Sequence, residues 1–305
     1  MSEPAPRPPV PDPCTPREVT AADGASVRWC AHGGHVLGWT PDGGTERLWL
    51  SRSTGCGPGT AIRGGVPVIW PQFAARGHGP RHGIARDRAW TVLSTTSAHN
   101  SVDGNGNGNG SGSGSEDGAA RVRLELRSDA ATRVLLPHPF TLTLDVAAAG
   151  DRLVHTLSAR NDGVEAFTFT AALHTYLRVS HVDDVSLHGL SGHRAAPNDG
   201  GDAHEVPPGP TTVTGPLDVA IADVEGDVVL HDPVLGDLVV SAEGFDSRVV
   251  WNPGPAAPGD VHPGGETELV CVEPALLHPT TLHPGETWSG RQVLTARPGP
   301  GAGPA

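Results

Sequence analysis

Residues 140–161, FTLTLDVAAAGDRLVHTLSARN, contain two runs in which apolar and polar side chains alternate, joined by Gly150 and Asp151. A period of two residues places one set of side chains on a buried face and the other set toward solvent or a second sheet. The alternation continues outward in RVRLELRS (121–128) and in FTFTAALHTYLRVS (167–180). We therefore expect antiparallel strands joined by short turns.

The whole chain of 305 residues follows the same plan, with 41 glycines and 30 prolines that indicate many turns. Many short strands at roughly ten-residue spacing, without an amphipathic helix of about ten residues or an internal repeat, favour an all-β antiparallel sandwich. We expect one domain over residues 18–297, with disordered tails at 1–17 and 298–305. The Gly/Asn/Ser-rich segment 104–118 is interpreted as a flexible, lengthened hairpin loop within that domain.

Composition excludes several classes of function. The formal net charge of -13 argues against nucleic acid and anionic membranes as partners. No apolar run approaches the ~18 residues of a membrane span, and the N-terminus lacks the apolar segment of a signal peptide. All 21 basic residues are arginines, so no lysine is present to form a Schiff base. The four cysteines, Cys14, Cys30, Cys56 and Cys271, have no CxxC spacing, which favours a cytoplasmic protein with free thiols.

One segment, residues 62–90, concentrates positive charge in this acidic chain. Its sequence, IRGGVPVIWPQFAARGHGPRHGIARDRAW, holds five arginines: Arg63, Arg76, Arg81, Arg86 and Arg88. Any one of them can be an ordinary solvated or paired arginine. Together, among glycines that let a backbone approach a ligand, they favour an anion site, because guanidinium groups grip phosphate or carboxylate oxygens in pairs.

Two polar residues lie in strongly apolar strands. His174 is in FTFTAALHTYL and Glu273 is in ELVCVEPALLHP. The ordinary alternatives are a core histidine bonded to backbone and an exposed or capping glutamate. Alternation instead places Glu273 on the face of Cys271, with Val272 pointing away. Burial raises the pKa of a carboxyl group toward that of a general base at neutral pH, and a histidine partner completes an acid/base couple.

The remaining histidines give a weaker signal. Two pairs of nearby histidines offer ring nitrogens to a metal: His32 with His35, and His78 with His82. Neither pair has a cysteine or carboxylate at the spacing of a metal site. No GxxxxGK[ST] loop or strand–GxGxxG–helix unit is present. We therefore expect neither a metal nor a cofactor.

Several longer motifs of the chain together resemble a known family. A series of motifs occurs in order along residues 20–296: HGGHVLGWTPDG, AIRGGVPVIWPQF, RHGIARDRAW, ALHTYLRVSHVDDVSLHGLSG, and ELVCVEPA followed by LHPGETWSGRQVL. This series resembles the glucose-6-phosphate 1-epimerases (hexose-6-phosphate mutarotases) of the aldose 1-epimerase superfamily. The resemblance implies a large twisted antiparallel β-supersandwich of the galactose mutarotase type, with an open cleft.

The resemblance also implies roles for individual residues. Glu273 is the general base that takes the anomeric proton, and His174 is the general acid that protonates the ring oxygen. Arg63 and Arg86 are the expected phosphate ligands. His82 is expected near the sugar hydroxyls, where it supports His174. No cofactor or metal is implied, and the expected partner is a hexose 6-phosphate bound by a monomer.

Two departures concern the rim of the site. Arg81 stands before HGIAR, where relatives often have glutamine, and is expected to bind substrate, either by strengthening the phosphate site or by bringing another anionic group into play. After GLSG the expected tyrosine and sugar-binding aspartate are replaced by HRAAPND, so that Asp199 is an offset candidate for the aspartate. The expected acidic and tyrosine-containing segment near the next strand is reduced to GPLDVAIAD. Two other functions stay open: an aldose 1-epimerase of unphosphorylated sugars and a non-catalytic sugar-phosphate binding protein.

Overall fold

A computed structural model of the chain describes residues 11–77, 79–98, 117–198, 200–297 and 299. These residues form twenty β-strands: β1 (Arg17–Thr20), β2 (Ser26–Cys30), β3 (His35–Thr40), β4 (Val68–Ile69), β5 (Thr91–Thr96), β6 (Ala120–Arg127), β7 (Phe140–Ala149), β8 (Arg152–Asn161), β9 (Phe167–Leu173), β10 (Tyr176–Arg178), β11 (Ser186–His188), β12 (Arg194–Pro197), β13 (His204–Glu205), β14 (Thr211–Thr212), β15 (Leu217–Ala222), β16 (Val228–His231), β17 (Leu238–Glu243), β18 (Ser247–Asn252), β19 (Leu269–Leu282) and β20 (Thr287–Ala296).

Helix is scarce in the same ranges. One short α-helix, α1 (Ala130–Leu135), begins at a capping box. The Asp129 side chain accepts from the Thr132 amide, and the Thr132 hydroxyl accepts from the Asp129 amide. Four 3₁₀ turns cover Ala85–Asp87, Val182–Asp184, Gly254–Ala256 and Gly265–Thr267. Over the described part of the chain, no helix has the length and apolar character needed to cross a membrane.

Three sheets organise the strands, and strand neighbours within them pair antiparallel. A small sheet has the order β1-β2-β3. An eight-stranded sheet has the order β13-β12-β15-β18-β19-β9-β4, with β10 also paired to β19, and a nine-stranded sheet has the order β14-β11-β16-β17-β20-β8-β7-β6-β5. The all-β antiparallel architecture predicted from the alternating runs is confirmed.

The main core lies between the two large sheets. It joins side chains of the eight-stranded sheet, such as Leu173 and Val272, to side chains of the nine-stranded sheet, such as Leu157 and Leu294. Each of these four side chains is completely buried. Burial of one aliphatic side chain contributes about 1.5–3 kcal/mol, so the contact between the sheets supplies most of the driving force for this fold.

The strict alternation of β19 decides which of its residues can face a ligand. Val270 and Val272 belong to the main core, whereas Cys271 packs in a separate cluster with Tyr176 and Trp49 on the opposite face. Glu273 is therefore on the outer face of the eight-stranded sheet, on the same side as Cys271. This is the orientation predicted from the sequence.

Both ends of the long Gly/Asn/Ser segment belong to one hairpin. Strand β5 ends at Thr96, β6 begins at Ala120, and the two strands pair with each other. Residues 99–116, with most of the predicted loop 104–118, lie outside the described residues, as do residues 1–10, 298 and 300–305.

The N-terminal arm makes defined contacts, and the cysteines differ from the prediction. Residues 11–16 are held in place, since the Cys14 amide donates to Asp12 Oδ1 and the His32 amide donates to Pro13 O. Cys14 is joined to Cys56 by a disulfide, so the prediction of four free thiols is wrong. The physical reason is tertiary: the fold lays the N-terminal arm beside the loop that contains Cys56, 42 residues away. Cys30 and Cys271 are free and buried.

The buried His155, on the core face of β8, is expected to make the stability of the fold depend on pH. It is fully buried, neither ring nitrogen has a hydrogen-bond partner among the described residues, and burial lowers the pKa of His155 to about 3. The unfolded chain binds this proton near pH ~6.5, so stability is lost as the pH falls below that value. Between about pH 7.5 and about pH 5 the loss from this one group is about 2 kcal/mol.

We expect His155→Leu to remove that share of the pH dependence, since leucine has no proton to bind. The measurement is the free energy of unfolding in urea at both pH values. His35 and His82 are also buried with depressed pKa values and remain in the variant, so the dependence shrinks without vanishing. An undiminished difference between the two pH values would contradict this account of His155.

Candidate active site

The centre of the site is a close pair of buried side chains on the outer face of the eight-stranded sheet. Pairing of Ala172 with Ala275 and of Tyr176 with Cys271 brackets the two residues from both sides. His174 Nδ1 lies 3.3 Å from Glu273 Oε1, and both side chains are more than nine-tenths buried. The two residues, 99 positions apart in the sequence, therefore meet at the floor of one cavity.

Burial acts in opposite directions on the two titrations of this pair. Burial, then His82, Arg63 and Arg86, hold the pKa of His174 well below its ordinary value. Burial, then Asp218, hold the pKa of Glu273 well above its ordinary value. Both shifts favour the form in which the carboxyl group holds the proton and the imidazole is neutral. It holds one proton, as does the ion pair of carboxylate and imidazolium.

Aromatic rings fix the orientation of His174. The Tyr176 ring stacks on the imidazole with centroids 4.7 Å apart and planes at 8°. The Trp251 ring meets the imidazole edge-on at 5.8 Å. Tyr176 stacks in turn toward Trp49, at 5.9 Å. A packed histidine ring of this kind presents its nitrogens in one direction, as proton transfer requires.

Arg63 is tied to the same assembly from the side. Its Nη1 donates to the Tyr176 hydroxyl at 2.8 Å, and its Nε donates to Asp260 Oδ1 at 3.1 Å. Burial raises the pKa of Tyr176, so the hydroxyl stays neutral and accepts this bond. Gly64 and Gly65, both with positive φ, follow Arg63, and a Cβ on either would lie within 2.6 Å of backbone atoms. The glycines thus let the segment from Arg63 to Val66 approach the backbone of Trp49, Leu50 and Val36 closely.

Loop residues 71–86 supply the opposite wall. Arg81, His82 and Arg86 line the cavity together with Arg63, His174 and Glu273, and the cavity has a volume of about 320 Å³. Arg86 Nη2 donates to Arg81 O at 3.2 Å, which holds the loop in a tight turn. All six described residues to which a catalytic or substrate-binding role was assigned therefore border one cavity, whereas Arg76 and Arg88 of the same arginine-rich segment do not line it. The individual roles stay predictions.

His82 is placed by its own backbone geometry. It adopts the left-handed conformation with φ 65°, which is uncommon outside glycine. Its amide donates to Ala74 O at 2.9 Å and its Nδ1 accepts from the Ala74 amide at 3.3 Å. Burial, reinforced by nearby arginines, lowers the pKa of His82 to about 3. The ring is therefore neutral, with Nδ1 as acceptor and Nε2 as its single donor.

Sequence reasoning missed two polar residues of the cavity. Asn198 and Asp218 both line it, and Asn198 Nδ2 donates to Asp218 Oδ1 at 2.6 Å. The predicted sugar-binding Asp199 lies outside the described residues. Asp218 belongs to the segment GPLDVAIAD, in which the resemblance is weak, so its acidic residue was the one available signal.

Cys271 adds a third potential metal ligand beside the pair. Its sulfur, a nitrogen of His174 and an oxygen of Glu273 lie within 4.8 Å of one another. Burial raises the pKa of Cys271 well above its ordinary value, so the residue stays a thiol, whereas metals bind the thiolate. The protonated carboxyl group of Glu273 is likewise a poor ligand. Our expectation that no metal takes part stays a prediction.

Comparison with known proteins gives one consistent family. The sequence profile of the aldose 1-epimerase family matches residues 17–295. Two relatives named "Putative glucose-6-phosphate 1-epimerase" are each 33% identical. The match to the protein of Cenchrus ciliaris covers 88% of this chain and 80% of the relative, and the match to that of Escherichia coli (strain K12) covers 81% and 79%.

A solved structure agrees with these sequence matches. The crystal structure of the "putative mutarotase" YeaD from Salmonella typhimurium superposes with a TM-score of 0.74 at 29% identity, covering 90% of this chain and 88% of that one. The β-supersandwich expected from the resemblance is thereby confirmed. With the family profile spanning nearly all of the described sheets, the chain belongs to the aldose 1-epimerase family and is an isomerase.

Proposed function

We propose that this protein interconverts the α and β anomers of a hexose 6-phosphate, with glucose 6-phosphate as the first substrate to test. The observation that supports this most directly is the His174–Glu273 pair at the floor of a cavity whose wall holds three arginines. The pair suits proton transfer and the arginines suit a phosphate. The relatives named as glucose-6-phosphate 1-epimerases point to the same substrate.

The pair performs ring opening with a balanced exchange of protons. Moving the single proton from Glu273 to His174 gives a carboxylate and an imidazolium. Glu273 then accepts the proton of the anomeric hydroxyl while the C1–O5 bond breaks, C1 becomes a carbonyl carbon, and His174 donates its proton to O5. After rotation about C1–C2, O5 attacks the other face of C1 and both protons return. Each positioned acid or base contributes about 10²–10⁴-fold.

The phosphate is assigned to the arginine side of the cavity. Three arginines line it, Arg63, Arg81 and Arg86, against two carboxyl side chains, Asp218 and Glu273, so positive side chains are in the majority there in a chain of net charge -13. An incoming dianion finds guanidinium donors there without displacing the acid/base pair. Asp218, fixed by Asn198, and neutral His82 are left to bond sugar hydroxyls.

The test is exchange NMR between the α and β anomeric signals of glucose 6-phosphate, with free glucose run beside it. We expect acceleration of the phosphate ester and much less of the free sugar. Equal acceleration of both would favour an aldose 1-epimerase of unphosphorylated sugars. Saturable binding without acceleration would favour a sugar-phosphate binding protein and would contradict the proposed chemistry.

Tyr176 offers a prediction about positioning, because it lies behind His174 and does not line the cavity. Tyr176→Phe keeps the ring that stacks on His174 and removes the acceptor of Arg63 Nη1. A hydrogen bond to a charged group contributes about 1.5–3 kcal/mol, so we expect KM for glucose 6-phosphate to rise about 10-fold or more. We expect kcat to change by less than about 3-fold, since the imidazole stays packed.

Steady-state kinetics separate these two effects. The comparison variant is Tyr176→Leu, which removes the stacked ring as well and is expected to lower kcat too. If Tyr176→Phe lowered kcat and left KM unchanged, Tyr176 would act through His174 alone, and its bond to Arg63 would have no part in binding.

A further inference from the structure

A second group of reactive side chains gathers away from the catalytic cavity. The sulfurs of Cys14 and Cys56 and a ring nitrogen of His32 all lie within 4.8 Å of one another. They come from three separate segments: the N-terminal arm, the turn between β2 and β3, and the loop between Leu50 and Arg63. None of the three lines the catalytic cavity. The proposed epimerase chemistry gives them no role.

His32 has the hydrogen bond that commonly orients a metal-binding imidazole. The residue is buried, and Nε2 lies 2.7 Å from the carbonyl oxygen of Thr60. A carbonyl oxygen only accepts, so Nε2 is the donor of this bond and Nδ1 is the ring nitrogen left for a metal. Metal-ligating histidines almost always donate their second ring N–H to such a carbonyl or carboxylate.

The three donors are held together by bonds other than the disulfide. The His32 amide donates to Pro13 O, next to Cys14. On the other side, His32 Nε2 donates to Thr60 O, and the Thr60 amide donates to Gly57 O, next to Cys56. Opening the S–S bond therefore leaves both thiols beside the imidazole. Cys56 is exposed and Cys14 is half-buried, so a reductant can reach them. Disulfides in a reducing compartment are ordinarily opened in this way.

We propose that Cys14, Cys56 and His32 form a site for a thiophilic divalent cation such as Zn²⁺. The disulfide and the bound metal are alternative states of this site. A dithiol or phosphine reductant supplies two electrons, and two protons complete the two thiols. Zn²⁺ then displaces those two protons and is bound by two thiolates and one imidazole. Such a Cys₂His set leaves one of four tetrahedral positions to water.

The other cysteines do not compete for the metal. Cys30 is completely buried, and its thiol donates to the His32 carbonyl oxygen at 3.4 Å. Cys271 is completely buried on the eight-stranded sheet, beside Glu273. Both thiols are therefore shielded from solvent, whereas Cys56 is exposed and Cys14 is half-buried, so an incoming metal ion reaches the second pair.

The experiment titrates the full chain with Co²⁺, a spectroscopic substitute for Zn²⁺. One sample is reduced with a phosphine and desalted without oxygen, and the other is left oxidised. We expect the reduced chain to bind one Co²⁺ with a sulfur-to-cobalt charge-transfer band and tetrahedral visible bands, both removed by Zn²⁺. We expect the oxidised chain to give neither band. A reduced chain without a charge-transfer band would overturn the proposal and leave the pair as a structural disulfide.

Variants assign the ligands one at a time. Cys14→Ser and Cys56→Ser alter positions outside the core and are each expected to abolish the charge-transfer band or weaken Co²⁺ binding strongly. His32→Gln is expected to weaken binding by at least about 10-fold, as even the loss of an outer hydrogen bond costs a metal site that much. The matched control is Cys30→Ala, whose thiol lies beside the His32 carbonyl. Wild-type binding by the double variant C14S/C56S, or its loss in Cys30→Ala alone, would overturn the assigned ligands.

Discussion

Glu273→Gln is expected to lower kcat for anomer exchange by about 10²–10⁴-fold while substrate binding changes little. The amide has the shape of the carboxyl group but cannot accept the anomeric proton. Burial raises the pKa of Glu273 well above its ordinary value, which favours the protonated carboxyl group, and the amide has the same charge as that form. The fold should tolerate it. Exchange NMR gives the rate, and calorimetric titration with glucose 6-phosphate gives the affinity.

Two comparisons sharpen this result. Glu268→Gln is the matched control, because Glu268 is a partly exposed glutamate that also contacts a histidine, His262, outside the cavity. It is expected to turn over normally. His174→Gln should lose as much rate as Glu273→Gln, and the double variant should be no slower than either, since the two residues act as one unit. Normal turnover by Glu273→Gln would show that the proposed mechanism is wrong.

The strands could be predicted from the sequence because their alternation is strict. The runs at Phe140–Ala149 and Arg152–Asn161 are the observed strands β7 and β8 without a shift at either end. The face of Glu273 follows from the same rule, since Val272 belongs to the core on the other side of β19. In a sheet with one face in the core, the period of two residues shows from the sequence which polar side chains lie on the face away from the core.

The convergence of the site could not be predicted from spacing. Arg63 meets Asp260 across 197 residues, and Tyr176 enters the site only as the ring behind His174. Its sequence signal was that of an ordinary core aromatic. The Cys14–Cys56 pair gave no signal either, because contact between an N-terminal arm and a distant loop depends on how the small sheet packs. Long-range contacts of this kind are set by tertiary structure, and local pattern contains no record of them.

Arg86→Gln is expected to lower kcat/KM for glucose 6-phosphate by about 30- to 1000-fold, the equivalent of about 2–4 kcal/mol for removing one member of a desolvated charge pair. Arg86 is the better choice for this test. Arg63 also anchors Asp260 and Tyr176, so replacing it disturbs the frame of the site, whereas the Arg86 side chain donates only to Arg81 O among the hydrogen bonds of the described residues.

The decisive quantity is the ratio of kcat/KM values for glucose 6-phosphate and free glucose, because a general loss of folded enzyme cancels from it. If Arg86 binds the phosphate, Arg86→Gln lowers the first value and leaves the second within about 3-fold, and the ratio collapses. Arg88→Gln, two residues along the same loop and outside the cavity, should leave the ratio unchanged. An equal fall for both sugars would show that Arg86 acts on the sugar ring through its charge near His174. The phosphate would then be assigned to Arg63 or Arg81.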